Sequence, residues 1–170
     1  FHWFTQAAEQ ENPRGQCMLG LCYETGHGVA EDKVKAVEYY QLAASSGNAT
    51  AMCNLGYCFY QGIGVEENDE EAVKWFQMAA SHGHPRALFC MGECYEEGNG
   101  VAVDLKKAKD CYQQSAAKGY QLAKDALQRL EGRPAGPYAY TPPEGPKPAP
   151  QPPRAEKPKR GGLFGFFKKK

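Results

Sequence analysis

Slide residues 51–86 one copy along the chain in either direction, and the sequence meets itself without a gap. AMCNLGYCFYQGIGVEENDEEAVKWFQMAASHGHPR is preceded by GQCMLGLCYETGHGVAEDKVKAVEYYQLAASSGNAT and followed by ALFCMGECYEEGNGVAVDLKKAKDCYQQSAAKGYQL, at a period of about 36 residues. Glycines recur at Gly20, Gly56 and Gly92, at Gly26, Gly62 and Gly98, and at Gly28, Gly64 and Gly100. Alanines recur at Ala36, Ala72 and Ala108 and at Ala44, Ala80 and Ala116. Self-similarity at such a period means stacked supersecondary units, each burying a face on its neighbours.

Within each unit the spacing predicts helix, glycine turn, helix. Leu19, Cys22 and Tyr23, then Met52, Leu55, Cys58 and Phe59, then Leu88, Met91, Cys94 and Tyr95 recur at steps of three and four, the pattern of one helix face. Asn12-Pro13, Asn48 and His84-Pro85 stand where these first helices begin, with a capping side chain before a residue that tolerates the first turn. Gly20, Gly56 and Gly92 lie inside them at a cost of about 1 kcal/mol each relative to alanine, which implies a close approach by a partner helix. Gly26, Gly62 and Gly98 end them with residues free to adopt a left-handed cap. Asp32, Asn68 and Asp104 cap the second helices, and Asn68 with Glu71 has the form of a capping box. The second helices alternate alanines with aromatic pairs, Tyr39-Tyr40 and Trp75-Phe76. Residues Phe1–Asn12 read as the back half of a further unit, with Trp3-Phe4 packing on the next one. A more polar helix over Gln121–Glu131 closes the array as a solvated cap.

Composition divides the chain after this point. Residues 1–131 carry 11 Lys+Arg against 18 Asp+Glu, a balance of −7, and residues 132–170 carry 9 against 2, a balance of +7. The second part also holds 10 of the 12 prolines. Three segments follow: a repeat domain over 1–131, an extended, disordered Pro-rich basic linker over 132–160, and an apolar, polybasic end over 161–170. In that end Leu163, Phe164, Phe166 and Phe167 precede Lys168, Lys169 and Lys170, a pattern suited to weak contact with an anionic membrane surface or with a partner. The chain opens on Phe1 as a fragment or processed chain would, and no apolar run is long enough to span a bilayer.

The arrangement of conserved letters in the three copies, from Ala51, Leu55, Gly56 and Phe59 through Gly62, Gly64 and Val65 to Ala72, Trp75, Phe76, Ala79, Ala80 and Gly83, resembles the Sel-1-like repeat, a relative of the tetratricopeptide repeat. Met91 and Cys111 are the departures in the third copy. The resemblance implies an all-α, right-handed α-solenoid of helix-turn-helix repeats that serves as a scaffold or adaptor for other proteins. A cysteine-bridged branch of that family has a cysteine late in the second helix. Ala44, Ala80 and Ala116 stand there instead, so its disulfide framework is not expected.

Seven cysteines, an odd number set on helical register positions, read as packed thiols in a reducing, cytoplasmic setting. Cys17 and Cys22, and likewise Cys53 and Cys58, are five apart and turn about 140° from each other on a helix, so neither pair shares a face for a metal. No metal or other cofactor is expected. The histidines His2, His27, His82 and His84 fall at turns and helix ends, with no nucleophile, base and orienter brought together, so the chain is read as non-enzymatic and a cell-wall-related hydrolase as a remote alternative. An acidic repeat domain argues against nucleic acid as a partner.

Every repeated position has a packing or capping role, so binding is expected where the copies differ. By analogy with tetratricopeptide units, the exposed side of the first helices lines a concave groove. Its candidate contacts are Arg14, Cys17, Leu21 and Glu24, then Thr50, Cys53, Tyr57 and Tyr60, then Arg86, Phe89, Glu93 and Glu96. An aromatic middle, with arginines at one edge and glutamates at another, suits an extended or helical peptide that carries an apolar anchor and basic flanks. The alternative is a membrane-peripheral adaptor held at the inner membrane surface by the Phe/Lys end.

Overall fold

Short polar side chains set where the helices start. In the computed structural model, which describes residues 2–132, Asn12 Oδ1 accepts from the amides of Arg14 and Gly15, Asn48 Oδ1 from Ala51, and His84 Nδ1 from Ala87. Asp32, Asn68 and Asp104 accept in the same way from Lys35, Glu71 and Lys107, each at 3.0 Å. These bonds satisfy amides that the first turn of a helix leaves without a partner. The helices that result are α1 (His2–Glu9), α2 (Pro13–Thr25), α3 (Lys33–Ser45), α4 (Ala49–Gln61), α5 (Asp69–Ser81), α6 (Pro85–Glu97), α7 (Leu105–Ala117) and α8 (Gln121–Glu131), with no strand among the described residues.

Turn chemistry sets where they stop. Gly26, Gly62 and Gly98 end α2, α4 and α6 at φ of 69°, 67° and 75°, and their amides donate to the carbonyls of Cys22, Cys58 and Cys94. The amides of Asp32, Asn68 and Asp104 then reach back to Tyr23, Phe59 and Tyr95, each at 2.8 Å, which folds the second helix onto the first. Gly64 and Gly100 serve the next level. A Cβ at either would overlap the Lys33 or Asp69 carbonyl of the preceding repeat, so the turn of one unit packs on the second helix of the unit before it.

The helices pack on their neighbours in sequence, α2 on α3, α4 on α5, α6 on α7, with α3 on α4, α5 on α6 and α7 on α8 joining the units. The close approach expected at the in-helix glycines is made by an aromatic ring. Tyr40, Phe76 and Tyr112 are fully buried, and the ring atoms Cδ1 and Cε1 of each press against Gly20, Gly56 or Gly92 of its own repeat. A Cβ at Gly56 would sit 2.7 Å from Phe76 Cδ1 and 3.1 Å from the Ala72 carbonyl oxygen. Alanines at 36, 43, 72, 79, 87 and 108 are fully enclosed and let the backbones close around these rings.

Two expectations are corrected. Trp3 is 78 % exposed, because within this chain α1 has no first helix paired with it to form the slot that Tyr39 and Trp75 partly fill. The Glu71 carboxylate holds Lys74 Nζ at 2.8 Å, so the Asn68–Glu71 pair caps through Asn68, with Glu71's carboxylate turned to the lysine. Tyr120, which precedes α8, makes no side-chain cap. Residues 133–170, which carry the expected linker and the Phe/Lys end, lie outside the described residues.

Gly56→Ala therefore overfills a closed seat. We expect a loss of about 1–3 kcal/mol in urea unfolding followed by circular dichroism, larger than the roughly 1 kcal/mol of helix propensity that alanine gains.

Candidate protein-binding face

The irregular positions of the first helices fall into four rows: 14, 50 and 86; 17, 53 and 89; 21, 57 and 93; and 24, 60 and 96. The structure separates these rows sharply by burial and by partner.

The row 24, 60, 96 is taken up by partners within the array. Tyr40 Oη donates to Glu24 Oε2 at 2.5 Å and Tyr112 Oη to Glu96 Oε2 at 2.9 Å. In the middle repeat the second helix offers Phe76, which has no hydroxyl, and the first helix offers Tyr60, whose ring meets Phe76 edge-on at 6.2 Å. Tyr60 Oη also accepts from Asn99 Nδ2 at 3.2 Å, and Glu96 is clasped by both Arg129 guanidinium nitrogens at 2.7 Å. These residues change together with the ring they face, so their variation between copies reflects internal pairing. Glu24, Tyr60 and Glu96 form a supporting edge of the face.

Cys17 and Cys53 are corrected outright, since both are buried and Cys53 has no exposed surface. Successive first helices meet with a stagger of one residue beyond the repeat. Asn54 Nδ2 therefore lies 4.0 Å from Cys17 Sγ. Their neighbour in the row, Phe89, is half-buried and packs on Tyr112 at 5.5 Å and on Tyr120 at 5.4 Å.

What is left open forms a patch on α2, α4 and α6. Arg14 and Thr50 are exposed, and Leu21, Tyr57, Arg86 and Glu93 are half-buried. Arg86 is its centre: the guanidinium lies 5.0 Å over the Tyr57 ring, and Nη1 donates to Asn54 Oδ1 at 3.2 Å. An arginine held over an aromatic face and hydrogen-bonded at its edge keeps one orientation. Asn54 was not legible as a site residue, although it breaks the apolar register of Met18 and Cys90 on either side.

Carboxylates border this patch. Burial pushes the Glu93 carboxyl up to about 7, with Glu97 and Glu96 adding to the shift and Arg129 and Arg86 opposing it. Burial also raises Glu24, with the Tyr40 hydrogen bond and Arg86 opposing. Among the described residues no group of three or more His, Cys, Asp or Glu side chains is arranged to hold a metal ion. Cys17 is pushed up to about 11 and Cys94 to about 12, chiefly by burial, which leaves these thiols protonated and inert.

With this geometry in view, the chain can be placed. The Sel1 repeat matches residues 1–12, 13–48, 49–84 and 85–120, and the chain belongs to that family, as an α-solenoid. A protective antigen of uropathogenic Escherichia coli strains with this fold superposes with a TM-score of 0.73 at 37 % identity over 76 % of this chain and 28 % of its own. A Sel1 repeat protein from Oxalobacter formigenes gives 0.71 at 39 % identity over 76 % and 51 %. Cysteine rich protein B of Helicobacter pylori shares the fold, at 0.60 and 18 % identity, over 74 % of this chain and 90 % of its own. The chain thus spans about a quarter to a half of the first two relatives' lengths. No curated protein matches it. Sel1 repeat proteins are generally scaffolds for protein interaction and are typically non-enzymatic.

Two outcomes test the assignment of supporting edge and open patch. Tyr40→Phe should cost about 1–3 kcal/mol by leaving the Glu24 carboxylate without its donor, and adding Glu24→Tyr, which copies the middle repeat, should recover much of it in thermal unfolding. Glu93→Gln should stabilise the domain above pH 7. A carboxyl raised in the folded state destabilises once it ionises, so this gain should fade as the pH drops from 7 towards the ordinary range of glutamate, in urea unfolding at a series of pH values.

Proposed function

We propose that this chain is a non-enzymatic adaptor that captures a protein or peptide segment on the concave side of the solenoid, along α2, α4 and α6. The observation that carries the reading is the Arg86–Tyr57–Asn54 constellation, a half-buried cation fixed over a ring at the middle of a patch bordered by carboxylates. Tyr57, Leu21 and Phe89 supply apolar surface for an anchor, Thr50 and the Arg86 guanidinium offer hydrogen bonds to a backbone, and Glu93 attracts a basic flank. Arg14 marks one end of the same run.

A basic side chain that pairs with Glu93 favours its ionised form. Affinity for such a segment should therefore rise as the pH is raised through about 7. The test is a display selection of peptides on the repeat domain. Binders should be enriched in one large apolar residue next to lysine or arginine. Tyr57→Ala with Arg86→Ala should weaken them at least tenfold in titration calorimetry, with helicity retained. Equal affinity in the double variant would remove this face from the account.

The Phe/Lys end, Leu163, Phe164, Phe166 and Phe167 with Lys168, Lys169 and Lys170, supports a second, weaker contact with anionic membrane at the inner surface of a cell. A cytoplasmic setting accords with seven thiols read as reduced. Flotation with phosphatidylserine vesicles should retain the full chain and lose one that stops at Glu131; equal flotation of both excludes a tether.

A further inference from the structure

Charge on the open face is answered unevenly. Glu24 accepts from Tyr40 Oη, Glu96 accepts from Tyr112 Oη and from both Arg129 guanidinium nitrogens, and Arg86 is engaged by Asn54 and the Tyr57 ring. Two side chains stand apart. Among the described residues, neither the Arg14 guanidinium nor the Glu93 carboxyl makes a hydrogen bond or an ion pair. Arg14 is exposed in the first turn of α2, and Glu93 is half-buried on α6. A cation and a carboxyl thus occupy opposite corners of the patch.

Repeat register sets how far apart these corners are. Glu93 holds the place of Leu21 two repeats on, and Leu21 follows Arg14 by seven residues, which is about 10 Å along a helix. The steps from α2 to α4 and from α4 to α6 add two helix spacings of about 9 Å each. The two charges are therefore rooted about 20 Å apart, with Tyr57 on the helix between them. An extended chain covers that span in about six residues, and an even step makes both of its end side chains leave from the same side. Two further side chains on that side then lie over the apolar middle that Tyr57 and Phe89 provide. The exposed Thr50 hydroxyl and the Arg86 guanidinium suit such a chain, whose backbone groups are open, better than a helix, which bonds its own.

We propose that the face along α2, α4 and α6 takes an extended protein segment of mixed charge, with a carboxylate on Arg14, a lysine or arginine on Glu93 about six residues away, and apolar side chains between them over Tyr57. This rests on the reading of these helices as the binding face and specifies its ligand further. The segment lies with its acidic end at α2 and its basic end at α6, whichever way its backbone runs. A segment basic at both ends would set a cation against Arg14, and that corner selects against it. The apolar anchor supplies most of the affinity, whereas the charged corners supply register and discrimination.

The test is a display selection of peptides on the full chain at pH 8, where Glu93 is ionised, run in parallel on an Arg14→Glu variant. The parent should enrich aspartate or glutamate about six residues from a lysine or arginine, in either order, with a large apolar residue between them. Arg14→Glu should replace that carboxylate by a second cation. In titration calorimetry, changing the acidic residue of one selected peptide to its amide should weaken binding to the parent about two- to fivefold and leave binding to Arg14→Gln unchanged. Arg14→Gln also enters the selection if the glutamate variant loses its helicity, and should then abolish the acidic preference. A parent pool basic at both ends, or an acidic preference that survives the change at Arg14, would overturn the proposal and leave the binding face standing. No enrichment on the parent, or binders indifferent to Tyr57→Ala with Arg86→Ala, would remove the face and the proposal with it.

Discussion

The contact on which the whole array rests is an aromatic ring laid on a glycine. Gly20, Gly56 and Gly92 carry no Cβ, so Tyr40, Phe76 and Tyr112 can press against the first-helix backbone, and the two helices of each repeat close around the ring. The glycines lower helix propensity, and burial of a large ring on each of them outweighs that loss. From this seat the remaining regularities follow. Small alanines are required wherever a backbone passes near the ring. The left-handed glycine after each first helix is required to bring the ring back to its seat, and the second turn glycine lets the next repeat approach the last one.

Once the rings are seated, their hydroxyls impose a further requirement. Tyr40 and Tyr112 bring a hydroxyl to the edge of the first helix, where Glu24 and Glu96 accept it; Phe76 brings none, and Tyr60 covers its ring. Variation between repeats thus has two sources. Some of it compensates for a change in the partner helix, and some has no internal partner to answer. Leu21, Tyr57 and Glu93 do not answer such a change in the second helix, and with Arg86 they make up the surface proposed to bind a partner. Burial of Glu93 among other carboxylates makes that surface more receptive to a basic group than to an acidic one.

Much of the fold was legible because its determinants are local. Asn12, Asn48, Asp32, Asn68 and Asp104 announce their helices through bonds that span two or three residues, and Gly26, Gly62 and Gly98 end them through their own φ. The candidate site was less legible because it depends on the stagger between repeats. A period of 36 places Cys53 opposite Cys17 in the sequence, whereas packing offsets the helices by one more residue and buries both. The same offset brings Asn54 against Cys17. The roles of Glu24, Tyr60 and Glu96 were hidden for a different reason: the residue that explains each one lies 16 positions later, on another helix. Trp3 was misplaced because its register was right but, among the described residues, no first helix precedes α1 to receive it.

The central claim is that repeated residues hold the scaffold while the irregular residues of the open patch choose the partner. It is tested most directly by giving the middle repeat the open-patch residues of the first, Thr50→Arg with Tyr57→Leu, and measuring Tm and affinity for a selected peptide on the same sample. The account predicts a Tm within about 3 °C of the parent, since only exposed and half-buried contacts change, together with loss of most of the affinity. A Tm that falls by tens of degrees, or a peptide that binds as tightly as before, would contradict it.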